Sequence, residues 1–335
     1  MSAISWNPAL ARRHLRTLND FSDEEMLQLV DLALALKARK DAGVRGELLH
    51  RRNIALVFEK SSTRTRNSCV VAAQDEGGNA QYLGHETHFG HKESVKDSAR
   101  VLGRLYDGIL FRGFRQDTVE QLAKWSGVPV WNGLTDESHP TQILADLMTL
   151  RQRFGEIRGR KLVYMGDGRN NVANSLMAGC AKAGVNYVNC TPKELLPDPA
   201  LVARAREIAA RNGSTVAVET DPAAAVRGAD ALYTDVWVSM GEEDKTAERI
   251  RLLRPYQVNM ELCRATGNLG SGLVFLHCLP AFHDSETEVS KDTGALEVTD
   301  EVFESPFSAV WDEAENRMHT IKALFVSAIG DPAAG

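Results

Sequence analysis

Asn53-Ile54-Ala55-Leu56-Val57-Phe58-Glu59-Lys60-Ser61-Ser62-Thr63-Arg64-Thr65-Arg66 decides the reading of the first half of the chain. Asn53 to Phe58 is rich in β-branched and large apolar residues and ends abruptly in polar ones, the pattern of a strand buried on both faces of a parallel sheet. The residues that follow have no helix breaker before Gly77, so a helix is expected to open within the Ser-Thr-Arg segment. Hydroxyls of Ser62, Thr63 and Thr65 then gather at a helix N-terminus with free backbone N–H groups, and Arg64 or Arg66 adds a planar cationic fork. Capping alone uses one hydroxyl, whereas here three alternate with two arginines. An anion site suited to phosphate is the better reading. It is not a Walker loop, because the G-x-x-x-x-G-K-S/T spacing is absent.

The chain has 335 residues, 43% hydrophobic and 25% charged, which is ordinary globular material with room for two cores. A formal charge of -6 without a basic stripe argues against nucleic acid and for a small anionic ligand. The five cysteines (Cys69, Cys180, Cys190, Cys263, Cys278) are scattered without a C-x-x-C pair, so neither a disulfide framework nor a zinc knuckle is expected. No apolar run reaches the length of a membrane span and Met1 onward shows no signal core; the expected setting is the cytoplasm.

Ser22-Asp23-Glu24-Glu25 is a capping box opening an amphipathic helix from Met26 to Leu36, ended by Lys37 to Lys40 and Gly43. A strand at Ala80 to Leu83 precedes the irregular Gly84 to Glu93, whose three histidines lie on a glycine-bounded stretch without a completing donor set; it reads as a mobile binding loop rather than a metal site. Ser94 caps a helix from Val95 to Tyr106, stopped by Gly108. Ile109 to Phe111 is a strand ending in Arg112, which repeats the arrangement of the first. A helix covers Thr118 to Ser126 and a strand Val128 to Trp131. Pro140 then keeps His139 extended and starts a helix from Thr141 to Phe154.

The pattern restarts near Gly155 to Gly159, which divides the chain into domains of 1–152 and 153–312, the first completed by a C-terminal helix over 313–332. Lys161 to Met165 is a strand followed by Gly166-Asp167-Gly168-Arg169-Asn170-Asn171 and a helix from Ser175 to Ala183. The dinucleotide fingerprint G-x-G-x-x-G lacks its third glycine here, which counts against a nicotinamide-dependent dehydrogenase. Strand and helix pairs follow at Tyr187 to Cys190 with Asp198 to Arg211, and at Thr215 to Glu219 with Ala223 to Val226. Ala231 to Thr234 leads into Asp235, and Leu273 to Leu276 into His277-Cys278. A final helix from Asp312 carries Met318, Ile321, Leu324, Phe325 and Ile329 on one face and packs on the first domain. The fold class is therefore α/β, with two domains that are each a mostly parallel sheet flanked by helices.

Arg64, Arg112, His139, Asn171, Asp235 and Cys278 all follow apolar strand runs. Open α/β sheets bind ligands outside the carboxyl ends of their strands, so the active site is expected in the cleft at strand C-terminal ends. Cations and hydroxyls come from the first half; an amide, a carboxylate and a thiol come from the second. Group transfer from a phosphorylated donor to a cationic or zwitterionic acceptor suits that division.

Ser62-Thr63-Arg64-Thr65-Arg66, His139-Pro140-Thr141-Gln142, Asp235-x-x-x-Ser239-Met240-Gly241 and His277-Cys278-Leu279-Pro280, in this order and over most of the chain, resemble the ornithine members of the aspartate/ornithine carbamoyltransferase family. The first two motifs are common to carbamoyltransferases and the last two mark the ornithine group. The resemblance implies transfer of a carbamoyl group from carbamoyl phosphate to L-ornithine, giving L-citrulline and phosphate, without metal or cofactor. It makes 1–152 the carbamoyl phosphate domain and 153–312 the ornithine domain.

By the same resemblance Ser62, Thr63, Arg64, Thr65 and Arg112 hold phosphate, and His139, Gln142 and Arg317 attend the carbamoyl group. Asn171, Asp235, Ser239 and Met240 bind ornithine, and Cys278 and Leu279 lie near its side-chain amine and the carbamoyl group. His88 matches a loop that reaches a neighbouring subunit's site, which implies a homotrimer or a multiple of trimers. Arg112, His139, Asp235 and Cys278 carry the catalytic roles, with either Asp235 or Cys278 as acceptor of the amine's proton. Other acceptors within the family, namely putrescine, aspartate or an acylated ornithine, are the nearest alternatives; aspartate would call for cations where Asp235 stands. A phosphate-binding module without catalysis leaves His139, Asp235 and Cys278 unexplained.

Overall fold

Strand β1 spans Asn53–Phe58 and is buried from Ile54 onward, because a run of large apolar side chains pointing to both faces needs cover on both. The structure is a computed structural model that describes residues 4, 6–84, 89–90, 92–238 and 245–331. In chain order the first half holds α1 (Asp23–Asp41), β1, α2 (Arg64–Gln74), β2 (Asn79–Leu83), α3 (Val95–Leu105), β3 (Gly108–Arg112), α4 (Gln116–Ser126), β4 (Val130–Leu134) and α5 (Pro140–Phe154). The second half holds β5 (Lys161–Met165), α6 (Asn171–Ala183), β6 (Asn186–Cys190), α7 (Pro199–Arg211), β7 (Val216–Glu219), α8 (Pro222–Val226) and β8 (Ala231–Thr234). It continues with α9 (Thr246–Leu253), α10 (Met260–Ala265), β9 (Val274–His277), α11 (Asp300–Phe303) and α12 (Val310–Ile329). These elements form two compact units, Met1–Met148 with Glu315–Gly335, and Thr149–Ala314.

In the first unit four parallel strands take the order β2-β1-β3-β4. Phe58 stands opposite Arg112, so the segment after β1 and the end of β3 leave the sheet at one edge. Ala55, Val57, Ile109, Phe111 and Val130 pack against Ala99 of α3 and Val119 and Leu122 of α4. Alternation along the strands turns Trp131 to the opposite face, where its ring meets Phe325 of α12 with centroids 4.8 Å apart. In the second unit five parallel strands take the order β7-β6-β5-β8-β9, so the direction of winding reverses at β5. Thr234 stands opposite His277, which brings the ends of β8 and β9 side by side.

Local chemistry accounts for most boundaries. Ser22 and Glu25 close the expected capping box on α1, Ser94 caps α3 through the Asp97 N–H, and Asp198 caps α7 through Ala200. Several boundaries differ from the sequence reading. Helix α1 continues through Lys37 to Lys40, which lie in its last turns instead of ending it. Helix α6 begins at Asn171 rather than Ser175, because the Asn170 side chain accepts the Val172 N–H and caps it there. Strand β4 starts at Val130 and runs to Leu134; Pro129 has no N–H to give to a ladder. Gly108 does not stop α3, which ends at the extended Tyr106, but opens β3.

One further difference concerns packing. Helix α12 is buried on every side from Asn316 to Ala328 instead of along one apolar stripe, and even Lys322, 1% exposed, is enclosed with its Nζ 2.7 Å from Asp75. The expected strand at Ala80 to Leu83 is β2, but half of Gly84 to Glu93, including His85, His88 and His91, lies outside the described residues, as do Ser239 and Met240. None of the five cysteines is joined in a disulfide. Among the described residues no helix is long and apolar enough to cross a membrane.

Close approach explains the glycine at 108: a Cβ there would stand 2.4 Å from the Trp131 ring, itself 0% exposed. Gly108→Ala is expected to destabilise the first unit by roughly 1–3 kcal/mol, the usual range for overpacking a filled core. Urea unfolding checks it; an unchanged midpoint would contradict the packing described.

Candidate active site

At the edge where β1 and β3 end, the chain has to enter α2, and the first free N–H groups of that helix need acceptors. The Ser62 hydroxyl takes the Thr65 N–H at 3.1 Å. Thr63 occupies the cap position without a side-chain cap bond and is exposed. One hydroxyl therefore caps and the others are free of that duty. Thr65 is 1% exposed, and its Oγ1 accepts from Arg112 Nη1 at 3.3 Å and from Arg317 Nη2 at 2.9 Å. The two arginines of the motif part company: Arg64 is half-buried, whereas the exposed Arg66 lays its guanidinium on the Tyr82 ring, 3.9 Å from the centroid. Of the two forks offered by the sequence, Arg66 is engaged as a cation–π partner.

Arg317 comes from α12 and is 3% exposed. Its Nη1 donates to Gln142 Oε1 and lies 3.5 Å from His139 Nε2. Gln142 in turn donates from Nε2 to Asp146 Oδ1 at 2.8 Å, one turn further along α5. Asp146, 0% exposed, fixes which end of the amide faces Arg317. His139 stands just before α5 and is 4% exposed. Burial first, then the guanidiniums of Arg317, Arg112 and Arg64, push its pKa well below the ordinary histidine value. A neutral imidazole thus sits among three cations drawn from α2, β3 and α12.

In the second unit, Asp235 and Cys278 are the residues that follow β8 and β9. Adjacent parallel strands with Thr234 opposite His277 place their side chains together, and Cys278 Sγ donates to Asp235 Oδ1 at 3.1 Å. Asn171 opens α6 just beyond β5, the strand at which the winding reverses. The loop before it is braced by Asp167, which pairs with Arg169 at 3.2 Å and with Arg249 of α9 at 2.8 Å. Leu279 has a φ of +58°, an uncommon conformation for a γ-branched residue. It is held by its N–H, which donates to His277 Nδ1 at 2.9 Å.

His277 is 1% exposed and Glu297 0%, with His277 Nε2 3.1 Å from Glu297 Oε1. That oxygen also accepts the Phe282 N–H at 2.7 Å. Asp235, His277 and Cys278 bring donor atoms within 4.8 Å of one another, but both ring nitrogens of His277 are engaged in holding the loop. The trio is suited to orienting a polar ligand rather than to enclosing an ion.

The first unit therefore brings together Thr65, Arg112, His139, Gln142 and Arg317, with Ser62 and Arg64 at the start of α2; the second brings together Asp235 and Cys278, with Leu279 next in the chain. His88, Ser239 and Met240 lie outside the described residues. Asp146, Glu297 and Glu313 were not singled out from the sequence. For Asp146 a signal existed: it is the lone carboxylate in the apolar run Ile143 to Met148.

Residues 13–152 match the carbamoyl-P binding domain of the aspartate/ornithine carbamoyltransferases, and residues 158–328 match their Asp/Orn binding domain. A Bacillus licheniformis protein named as a catabolic ornithine carbamoyltransferase is 55% identical over 319 residues, 93% of this chain and 95% of the relative. An ornithine carbamoyltransferase from Streptococcus suis is 53% identical over 96% of each chain. Among solved structures, the ornithine carbamoyltransferase from Pyrococcus furiosus superposes with a TM-score of 0.87 at 42% identity, covering 96% of this chain and 98% of the other. That from Gloeobacter violaceus gives a TM-score of 0.82 at 43% identity over 96% and 99%. With both domain families matched end to end and half of all residues shared with curated members, the chain belongs to the aspartate/ornithine carbamoyltransferase family.

Proposed function

We propose that the protein is an ornithine carbamoyltransferase, which moves the carbamoyl group of carbamoyl phosphate to the δ-amino group of L-ornithine and releases L-citrulline and phosphate. The observation that carries the proposal is the pairing of Cys278 with Asp235 at 3.1 Å in a chain whose first unit gathers Arg64, Arg112 and Arg317 around a neutral His139. A carboxylate with a thiol selects a cationic amine, and the guanidiniums select a phosphorylated donor.

In this reading Ser62, Thr63, Arg64, Thr65 and Arg112 hold the phosphate, while His139, Gln142 and Arg317 face the carbamoyl group, with Cys278 and Leu279 beside it. Asn171, Asp235, Ser239 and Met240 hold ornithine. The δ-amine must lose a proton before it attacks; bringing a lysine-like pKa near 10 down by about three units requires roughly 4 kcal/mol. Asp235 draws the ammonium in, and its Oδ2 takes the proton, because Oδ1 already accepts from the Cys278 thiol and the Val236 N–H. The nitrogen lone pair then forms the new C–N bond, the carbamoyl oxygen gains negative charge, the C–O bond to phosphate breaks with its electron pair leaving on phosphate, and the second proton of the attacking nitrogen passes to the departing phosphate oxygen.

Arg64, Thr65 and His139 stabilise the growing charge as an oxyanion hole does, and Arg112 receives the phosphate. His139 contributes a ring N–H without adding a fourth positive charge to the cluster. Cys278 positions the amine; no acyl-enzyme is needed when the substrate itself is the nucleophile. A cytoplasmic homotrimer, or a multiple of trimers, completes the reading, with His88 reaching a neighbouring subunit's site.

Carbamoyl transfer from carbamoyl phosphate to ornithine, putrescine, N-acetylornithine and aspartate in parallel, each followed as its own carbamoylated product, tests the assignment. Ornithine alone is expected to react, with kcat/KM falling on the order of a hundredfold or more for Arg64→Ala, as for loss of an oxyanion-hole donor. Asp235→Asn is expected to act through the ornithine KM and kcat. Activity with putrescine instead would overturn the ornithine half, and no carbamoyl transfer at all would overturn the whole.

A second expectation concerns pH. The folded chain keeps His139 neutral, whereas an unfolded chain protonates it near the reference value of about 6.5. Between the unfolded and the lower folded pKa the unfolded state binds more protons, so this group makes stability fall as pH drops below about 6.5. His319, lowered by burial to about 4, adds to the same slope. Thermal melts from pH 7 to 5 are expected to decline more gently for His139→Asn than for wild type; equal slopes would contradict a neutral His139.

A further inference from the structure

We propose that Glu313 is a positioning residue for the two side chains that handle the ornithine amine, a role that rests on the reading of Asp235 and Cys278 given above. Glu313 lies in the first turn of α12 and is 0% exposed. Its Oε1 accepts the Tyr233 hydroxyl at 3.2 Å, and its Oε2 accepts the backbone N–H of His277 at 2.9 Å. Tyr233 stands on β8 two residues before Asp235, and His277 ends β9 immediately before Cys278. These strands are neighbours, with Tyr233 opposite Leu276 and Thr234 opposite His277. A single carboxylate therefore bridges both strands within two residues of the point where the thiol meets Asp235.

Burying an ionised carboxylate is costly unless its oxygens are hydrogen-bonded, and a helix turn packed on apolar strands is more cheaply filled by an apolar side chain. What the carboxylate adds is geometry. The His277 N–H belongs to the last residue of β9, and Glu313 supplies its acceptor. His277 is fixed at its ring by Glu297 and at its backbone by Glu313, so the Cα of Cys278 is set from both sides. The Tyr233 hydroxyl ties the partner strand to the same anchor. Displacing reacting groups by about 1 Å costs on the order of a hundredfold in rate, so a clamp on strand ends acts on turnover without touching substrate.

The thiol itself supplies a readout that needs no turnover. Cys278 is the one cysteine that is half-exposed, the other four being buried, so iodoacetamide labelling followed by mass mapping reports on it. The thiolate is the species that alkylates, and a neighbouring carboxylate that accepts the S–H disfavours it. Releasing Cys278 from Asp235 therefore speeds alkylation.

The experiment compares wild type with Glu313→Ala, Glu313→Gln and Tyr233→Phe for citrulline formation and for alkylation at pH 8, with Asp235→Asn as the alkylation reference. Glu313→Ala is expected to lower kcat by about tenfold to a hundredfold while the carbamoyl phosphate KM stays within about twofold. Its Cys278 is expected to alkylate several-fold faster, approaching Asp235→Asn. Glu313→Gln can accept from the His277 N–H and donate to the Tyr233 oxygen, so it is expected to recover most of the loss. An unchanged kcat, a parallel rise in the carbamoyl phosphate KM, unchanged alkylation, or a Glu313→Gln variant as impaired as Glu313→Ala would each overturn the proposal. If circular dichroism finds Glu313→Ala unfolded, Tyr233→Phe carries the test: a smaller loss of kcat with faster alkylation supports the clamp, and wild-type values for both overturn it. Wild type without citrulline formation would sink the functional reading alone, since the alkylation comparison still decides whether Glu313 holds Cys278 to Asp235.

Discussion

Arg317, 3% exposed, donates to Thr65 and Gln142 and lies against His139, and the first unit is arranged to keep that guanidinium in place. A buried cation is tolerated only where hydrogen bonds replace its water. Thr65 supplies an acceptor at the start of α2, Gln142 another from α5, and Asp146 turns the Gln142 amide so that its oxygen faces the cation. Arg112, 8% exposed, shares the Thr65 hydroxyl. With two guanidiniums already enclosed and Arg64 nearby, a protonated imidazole would add a further charge, which is why burial and those arginines together hold His139 neutral. An anion bearing several acceptor oxygens is the ligand such a cluster favours.

The second unit solves a different problem by simpler means. Parallel strands in the order β7-β6-β5-β8-β9 deliver their C-terminal residues to one edge, and the pairing of β8 with β9 is enough to place Asp235 beside Cys278. Holding them there takes buried carboxylates at two levels, Glu297 on the His277 ring and Glu313 on the His277 N–H. Polar groups enclosed in this way are expensive unless fully bonded, and their gain is a fixed arrangement rather than stability.

Where a decision depended on neighbours in sequence, the chain was legible. The apolar runs of β1 and β5 end where the strands end, and the Ser22 box and Ser94 cap open their helices as read. Arg64, Arg112, His139, Asp235 and Cys278 stood out as candidates because each follows an apolar strand run and is chemically out of keeping with it, and Thr65 because its hydroxyl alternates with the two arginines. What failed depended on partners far along the chain. Gly108 looks like a helix stop until Trp131 is seen packed on it. Arg66 is as good a fork as Arg64 until Tyr82 takes it. The last helix looks amphipathic until Lys322 meets Asp75, 247 residues away. Glu297 and Glu313 sit among ordinary acidic residues, and only the fold shows that they are enclosed.

The central claim is that the strand-end guanidiniums of the first unit form the anion site, and the affinity for inorganic phosphate tests it most directly. Isothermal titration of wild type and of Arg112→Gln, in the same low-salt buffer, gives the two dissociation constants. Loss of a charge-assisted contact is expected to weaken binding by about tenfold to a hundredfold, the equivalent of roughly 1.5–3 kcal/mol. Equal affinities for the two proteins would contradict the account.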